Sequence, residues 1–299
     1  MSSTVLVATI VAAPQRAALS DASLARVKQA LPGSAESRWL DSGVAADLIF
    51  SAGDLASART VVETLAHEIG ADAIVQPWAT RAKKLLVADM DSTLIGQECI
   101  DELAAGLGLG SRVAEITERA MRGELEFEES LSKRVAMLAG LPEAAIAALL
   151  ATRITLNPGA KTLFATMRAR GGYVAVVSGG FTPFTAEVAR RLGAHEHRSN
   201  TLGIENVRLT GEVITPILGA AAKREALDEI SSRLGLARHE TMAVGDGAND
   251  LQMLAAAGLG VAYRAKPKVA AAADARVDHA DLTALLYAQG IAKAEFVEG

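Results

Sequence analysis

Asp89 and Asp91 stand one residue apart at the end of the apolar run Leu85-Leu86-Val87-Ala88, and Ser92 and Thr93 follow at once. Two carboxylates that close can serve one reacting group, the first attacking as a nucleophile and the second moving a proton. Two more apolar runs end in small and polar residues: Val174 to Val177 before Ser178-Gly179-Gly180, and Met242 to Val244 before Gly245-Asp246-Gly247-Ala248-Asn249-Asp250. With Lys223 they form an inventory suited to a phosphate and a divalent cation. Hard oxygen donors select an ion such as Mg²⁺, held by a few carboxylates plus substrate oxygens. No Cys or His cluster argues for zinc, and His195-x-His197 reads as a solvated loop.

A phosphate monoester resists hydrolysis because a nucleophile must approach an anion, so the site must bring positive charge and fixed N–H donors. Lys223, the cation and the Ser178-Gly179 backbone would supply them. Asp89 would attack phosphorus, and Asp91 would protonate the leaving oxygen and then activate the water that hydrolyses the aspartyl phosphate. Asp246 is the first metal ligand expected, with Asp89 and Asp91 beside it. Asp250, four residues on, would position a water or Lys223.

These residues need strands that end at one edge. Leu85 to Ala88 are consecutively apolar, as in a parallel strand covered by helices on both faces. In such open α/β sheets the ligand crevice lies outside the carboxyl ends of the strands. From Gly96 to about Thr155 the pattern is helical throughout: Ile100–Leu107, Val113–Met121, Phe127–Leu138 and Pro142–Leu150. Inserted after the first strand, it predicts a helical cap, about 97–155, over the crevice. Gly106, Gly108 and Gly110 do not match the dinucleotide fingerprint, since position 111 is Ser, and no Walker A sequence occurs. Alternation resumes with a helix over Lys161–Arg170, a hairpin-like excursion within 201–214, a helix from Lys223 to Leu234, a strand over Gly258–Ala262, a helix over Pro267–Ala273 and a last strand at Arg276–Val277.

The first 80 residues carry little chemistry. They read as a strand at 4–13, a helix over Leu19–Leu31, strands at Ser37–Leu40 and Asp47–Phe50, a helix over Ala56–Ile69 and a strand at Ala73–Trp78. This βαββαβ order is the ferredoxin-like arrangement. His67 reads as structural, and Pro77–Arg81 as a linker.

The chain has 299 residues, half of them apolar, and a net charge of −5. That is enough for two domains and a buried core, and it offers no basic footprint for nucleic acid. The single cysteine, Cys99, allows no internal disulfide and fits a reducing compartment. Met1–Pro14 lacks the basic start of a signal peptide, and no stretch reaches the roughly 18 apolar residues of a membrane span. The expectation is a cytoplasmic protein.

Taken together, Asp89-Met90-Asp91-Ser92-Thr93, Ser178-Gly179-Gly180, Lys223 and Gly245-Asp246-Gly247-Ala248-Asn249-Asp250 resemble the four motifs of the haloacid dehalogenase-like phosphatases, and among these the phosphoserine phosphatase family. The resemblance covers about residues 83–290. It implies an α/β, doubly wound, Rossmann-like core over 81–299 and Mg²⁺-dependent hydrolysis of O-phospho-L-serine, the last step of serine biosynthesis. Carried over by position, Glu98 would meet the substrate ammonium and Arg134 its carboxylate, for which the guanidinium fork is the apt partner. Ser178, Gly179 and Lys223 would hold phosphate, Asn249 would contact the substrate, and Phe127 and Met121 would wall the cap side. Residues 1–80 resemble an ACT domain in strand order, without the glycine such modules often carry after the first strand; they imply amino-acid sensing or a homodimer. A related phosphatase or phosphotransferase acting on another small phosphomonoester is the alternative reading.

Overall fold

Ser20 starts the first helix, its hydroxyl accepting the N–H of Ser23 while Ser23 reaches back to Ser20. Asp54 starts the second, accepting the N–H groups of Ala56 and Ser57. The computed structural model describes residues 4–16, 19–121 and 125–299. Its N-terminal part runs β1 (Thr4–Ala12), α1 (Asp21–Gln29), β2 (Glu36–Asp41), β3 (Ala45–Ala52), α2 (Leu55–Glu68) and β4 (Ala71–Pro77). The four strands form one antiparallel sheet in the order β2-β3-β1-β4, the ferredoxin-like order predicted.

Both faces of this sheet are covered. Leu6, Ala8, Ile10 and Ala12 of β1 pack with Leu24, Val27 and Val62 of the helices. From the other face Val11, Leu40, Ala45 and Ile74 join the core of the C-terminal part, with Leu286 and Tyr287. Pro77–Arg81, read as a linker, is packed in place: Trp78–Thr80 form a short 3-10 turn, and Arg81 is buried. Its guanidinium donates to both oxygens of Asp47, at 2.7 and 2.9 Å, and to the carbonyls of Tyr287 and Ala288. His67 packs its ring on His279, 5.6 Å between centroids, on the same seam.

The second part continues with β5 (Leu85–Ala88), the cap helices α3 (Cys99–Gly106), α4 (Gly110–Met121), α5 (Phe127–Ala136) and α6 (Ala144–Thr152), then α7 (Ala160–Ala169), β6 (Tyr173–Phe181), α8 (Thr182–Leu192), β7 (Glu196–Glu205), β8 (Arg208–Ile214), α9 (Ala220–Arg233), β9 (Thr241–Gly245), α10 (Leu251–Ala256), β10 (Leu259–Tyr263), α11 (Pro267–Ala272), β11 (Ala275–Val277) and α12 (Ala284–Ala288). The sheet order is β11-β10-β9-β5-β6-β7-β8, parallel except for β8. Strand alternation divides its core in two. Leu86, Ala88, Val174, Val176, Met242 and Val244 face one cluster, and Leu85, Val87, Ala175, Val177 and Ala243 face the other.

The cap is stapled at its base, where Ile95 bridges Leu156, Gly96 N donates to Thr155 O and Asn157 N donates to Leu94 O. One expectation fails in this half. His197 is not in a solvated loop but pairs with Val176 in the sheet, whereas His195 does lie exposed in the bend before β7, its ring stacked on Tyr173 at 4.4 Å. Hydrogen bonding along β6 outweighs the polar composition of residues 196–200. Among the described residues no helix is long and apolar enough to cross a membrane.

Candidate active site

Strand β5 stands mid-sheet between β9 and β6, so its carboxyl end opens onto the crevice between two neighbouring loops. Pairing runs one residue beyond it, Asp89 N donating to Val244 O at 3.0 Å. The chain then turns hard: the N–H groups of Thr93, Leu94 and Ile95 all point at Met90 O, and Ser92 takes a left-handed φ of 55°. This turn ends the strand alternation that would send Asp89 and Asp91 apart, and both line one cavity of about 630 Å³.

Glu98, Arg134, Ser178, Gly179, Asp246 and Asn249 line the same cavity, as does Phe127. The Met121 side chain lies outside the described residues. Lys223 and Asp250 are absent from the cavity wall and fully buried beneath it. Lys223, in the first turn of α9, sends its Nζ to 2.7 Å from Asp89 Oδ1 and 2.7 Å from Asp250 Oδ1. Asp250 Oδ2 accepts the N–H groups of Asp246 and Gly247, so both its oxygens are engaged. The junction after β9 is a 3-10 turn over Ala248–Asp250 leading into α10.

Charge here is unbalanced. Burial alone would lower the Lys223 pKa, but Asp250 and Asp89 outweigh it and keep the ammonium charged. Burial and the Asp250 charge push Asp89 well above the carboxylate range. Asp246 is raised to about 6 by burial, then by Asp250 and Glu98. Asp91 is raised to about 7 by burial and by Glu98, with Cys99 donating to it in opposition. Asp91 Oδ1 is buried without a hydrogen-bond partner. Oxygens of Asp89, Asp246 and Asp250 lie within 4.8 Å of one another. One buried ammonium among these acids leaves a charge deficit that a divalent cation fits, in a donor set made of oxygen.

Several supporting groups escape the sequence reading. Thr93 Oγ1 donates to Asp246 Oδ1 at 3.0 Å, and Asn157 holds the turn by donating to Thr93 O and Ile95 O. Ser178 turns its hydroxyl inward to accept Gly180 N–H at 2.9 Å, and Asn200 donates to Gly179 O. Ser92 Oγ donates to Glu98 at 2.6 Å. Lys266, from the loop before α11, also lines the cavity, and no spacing in the sequence points to it. Ser92 and Thr93 carried a signal, as hydroxyls following the two acids, and Ser178 as the end of a strand-like run; Asn157, Asn200 and Lys266 carried none.

Residues 86–255 match the family model of the haloacid dehalogenase-like hydrolases. The chain belongs to that family. The chain is 45% identical over 239 residues to a phosphoserine phosphatase of Streptomyces coelicolor, covering 79% of this chain and 58% of that one. It is 43% identical over 234 residues to a phosphoserine phosphatase of Archaeoglobus fulgidus, covering 78% and 68% respectively. The chain thus spans little more than half the length of the first of these relatives. Among solved structures, a hydrolase of the same family from Salmonella enterica serovar Typhi superposes with a TM-score of 0.85 at 30% identity, covering 95% of this chain and 97% of that one. A probable phosphoserine phosphatase from Vibrio cholerae, in unliganded form, gives 0.75 at 35% identity, covering 99% and 90%.

Proposed function

We propose that the chain is a phosphoserine phosphatase, hydrolysing O-phospho-L-serine to L-serine and phosphate. The observation that carries this reading is one cavity with two aspartates at its floor and a carboxylate and a guanidinium, Glu98 and Arg134, on its cap side. A phosphate at the aspartates would leave the amino-acid head between opposite charges. Burial draws the Arg134 pKa down, while Asp101, Glu98 and Asp91 keep the guanidinium charged for a substrate carboxylate.

In this mechanism Asp89 attacks phosphorus and becomes an aspartyl phosphate, with Lys223 fixing its carboxylate from beneath. Asp91, whose pKa lies near 7, holds a proton for the departing serine oxygen and takes one back from the attacking water. Gly179 offers its N–H to a phosphoryl oxygen, Gly180 N–H being held by Ser178 Oγ, and Asn249 meets the substrate. Asp89, Asp91 and Asp246 would hold Mg²⁺, which supplies positive charge against the phosphoryl oxygens. Asp250, already bonded to Lys223 and two backbone N–H groups, positions rather than ligates.

Residues 1–80 and 81–299 form the two domains of this reading, with the cap at about 97–155, and the enzyme works in the cytoplasm on a small molecule rather than on nucleic acid. A homodimer would have to form on surfaces of the N-terminal module other than the sheet face packed against Leu286 and Tyr287.

The test is phosphate release from O-phospho-L-serine and from a panel of small phosphomonoesters, with and without Mg²⁺, for wild type and Asp89→Asn. The expected result is a strong preference for phosphoserine that disappears without Mg²⁺, and a loss in Asp89→Asn of roughly a thousandfold or more. Equal activity across the panel would transfer the reading to another phosphomonoester. Full activity in Asp89→Asn would remove the nucleophile.

A further inference from the structure

Helix α5 carries Arg134, and both of its ends rest against glycines. At its start the Phe127 ring fills the space beside Gly179, where a Cβ would stand 3.1 Å from Phe127 Cζ. At its far end β8 presents Gly211, whose φ of +86° suits glycine; a Cβ there would come within 2.9 Å of Ala139 Cβ and 3.2 Å of Ala136 O. Phe127 to Ala136 is about 14 Å of helix at 1.5 Å per residue, and Arg134 lies between the two supports.

The β7–β8 hairpin joins those supports. Its tip is bonded to the chain just after α5: Gly140 N donates to Leu209 O at 2.8 Å, Leu209 N to Leu141 O at 2.9 Å, Glu143 N to Val207 O at 2.9 Å, and Arg208 Nη1 to Gly140 O at 2.7 Å. Its root is bonded to the other end of the site. Asn200 of β7 donates to Gly179 O at 2.9 Å and accepts Leu218 N at 2.6 Å. The path from Gly179 through Asn200, the hairpin, α5 and Phe127 back to Gly179 is closed. A helix braced at one end can swing, but one braced at both ends from the same loop moves only by stretching hydrogen bonds or repacking contacts.

We infer that the β7–β8 hairpin is a positioning device for Arg134, and that Gly211 is a specificity-determining position. By fixing α5, the hairpin sets the distance from Arg134 to the Ser178–Gly180 segment and so selects phosphomonoesters by the span between their phosphate and their carboxylate. The inference rests on the assignment of Arg134 to the substrate carboxylate. Gly211 touches no substrate and acts through α5.

The experiment compares wild type, Gly211→Ala, Gly211→Ala with Ala139→Gly, and Arg208→Ala in the full chain. Steady-state kinetics are measured with O-phospho-L-serine and with p-nitrophenyl phosphate, which has neither ammonium nor carboxylate. Gly211→Ala is expected to raise KM for phosphoserine about tenfold while kcat, and kcat/KM for p-nitrophenyl phosphate, stay within about twofold. The added Ala139→Gly is expected to bring KM part of the way back, and Arg208→Ala to raise it by a smaller factor. Equal losses on both substrates, or no change in KM for phosphoserine in either single variant, would overturn the inference. If Gly211→Ala does not fold, Arg208→Ala decides alone. Wild type with no preference for phosphoserine fails the functional reading and takes this inference with it; a wild-type preference with equal losses in the variants fails this inference only.

Discussion

Lys223 Nζ lies 2.7 Å from Asp89 Oδ1, and the lysine has no exposed surface. The same ammonium lies 2.7 Å from Asp250 Oδ1, so one cation serves two buried carboxylates. Removing it leaves two buried carboxylates facing each other.

Lys223→Met is therefore expected to lower kcat/KM for phosphoserine by at least about a hundredfold. The metal-free protein should also lose about 3 kcal/mol of stability. Lys223→Arg should not rescue activity, because the fully buried site has no room for a guanidinium. Kinetics and urea unfolding check both points; wild-type kcat/KM in Lys223→Met would take the lysine out of the chemistry.

Thr93 tests the metal assignment. Its hydroxyl donates to Asp246 Oδ1 at 3.0 Å from a fully buried position. Thr93→Val removes that donor, and the Mg²⁺ concentration for half-maximal activity is expected to rise about tenfold. An unchanged Mg²⁺ dependence would mean that Asp246 needs no such support.

Lys83 gives a pH dependence. It is buried, its Nζ donates to the carbonyls of Thr80 and His239, and burial lowers its pKa from 10.5 to about 8 against the opposing charge of Asp274. Between these values the unfolded chain binds more protons than the native one, so this group makes stability rise with pH through the window and contributes no slope below pH 8. Relative to Lys83→Met, wild type should gain about 3 kcal/mol between pH 8 and 10.5. Denaturant midpoints for both proteins across that range check the sign; a gap that stays constant would show that the ammonium is solvated.

Asp47 tests the seam between the two sheets. Its carboxylate is fully buried, bonded to both Arg81 and Thr9. Asp47→Ala strands a buried guanidinium and should cost about 3 kcal/mol, part of which Asp47→Ala with Arg81→Met recovers. Additive losses in the double variant would show that the pair is not coupled. A chain beginning at residue 81 should be less stable and less soluble, because Leu286 and Tyr287 lose the cover of Val11, Leu40 and Ile74.

Much of this protein was legible in its sequence. Uninterrupted apolar runs ending in acids and small residues marked parallel strands and the edge where chemistry gathers, because a strand covered on both faces has no polar alternation to obscure it. The βαββαβ order of the first 80 residues followed from periodicity and turn residues. Local pattern carries no information about distant partners, however. The Asp250–Lys223 partnership was expected from the sequence, but nothing along the chain says that Lys223 reaches Asp89 from beneath the cavity, that the second Asp250 oxygen takes the N–H groups of Asp246 and Gly247, that Asn200 holds Gly179, or that Arg81 is buried against Asp47. The same limit explains His197, which reads as part of a loop until β6 offers its hydrogen bonds. Those relationships depend on burial, where an unpaired charge or N–H is costly and so finds a partner wherever the packed chain provides one. Sequence spacing determined which groups arrive at the crevice; only the tertiary structure decided which of them face it and which stand behind.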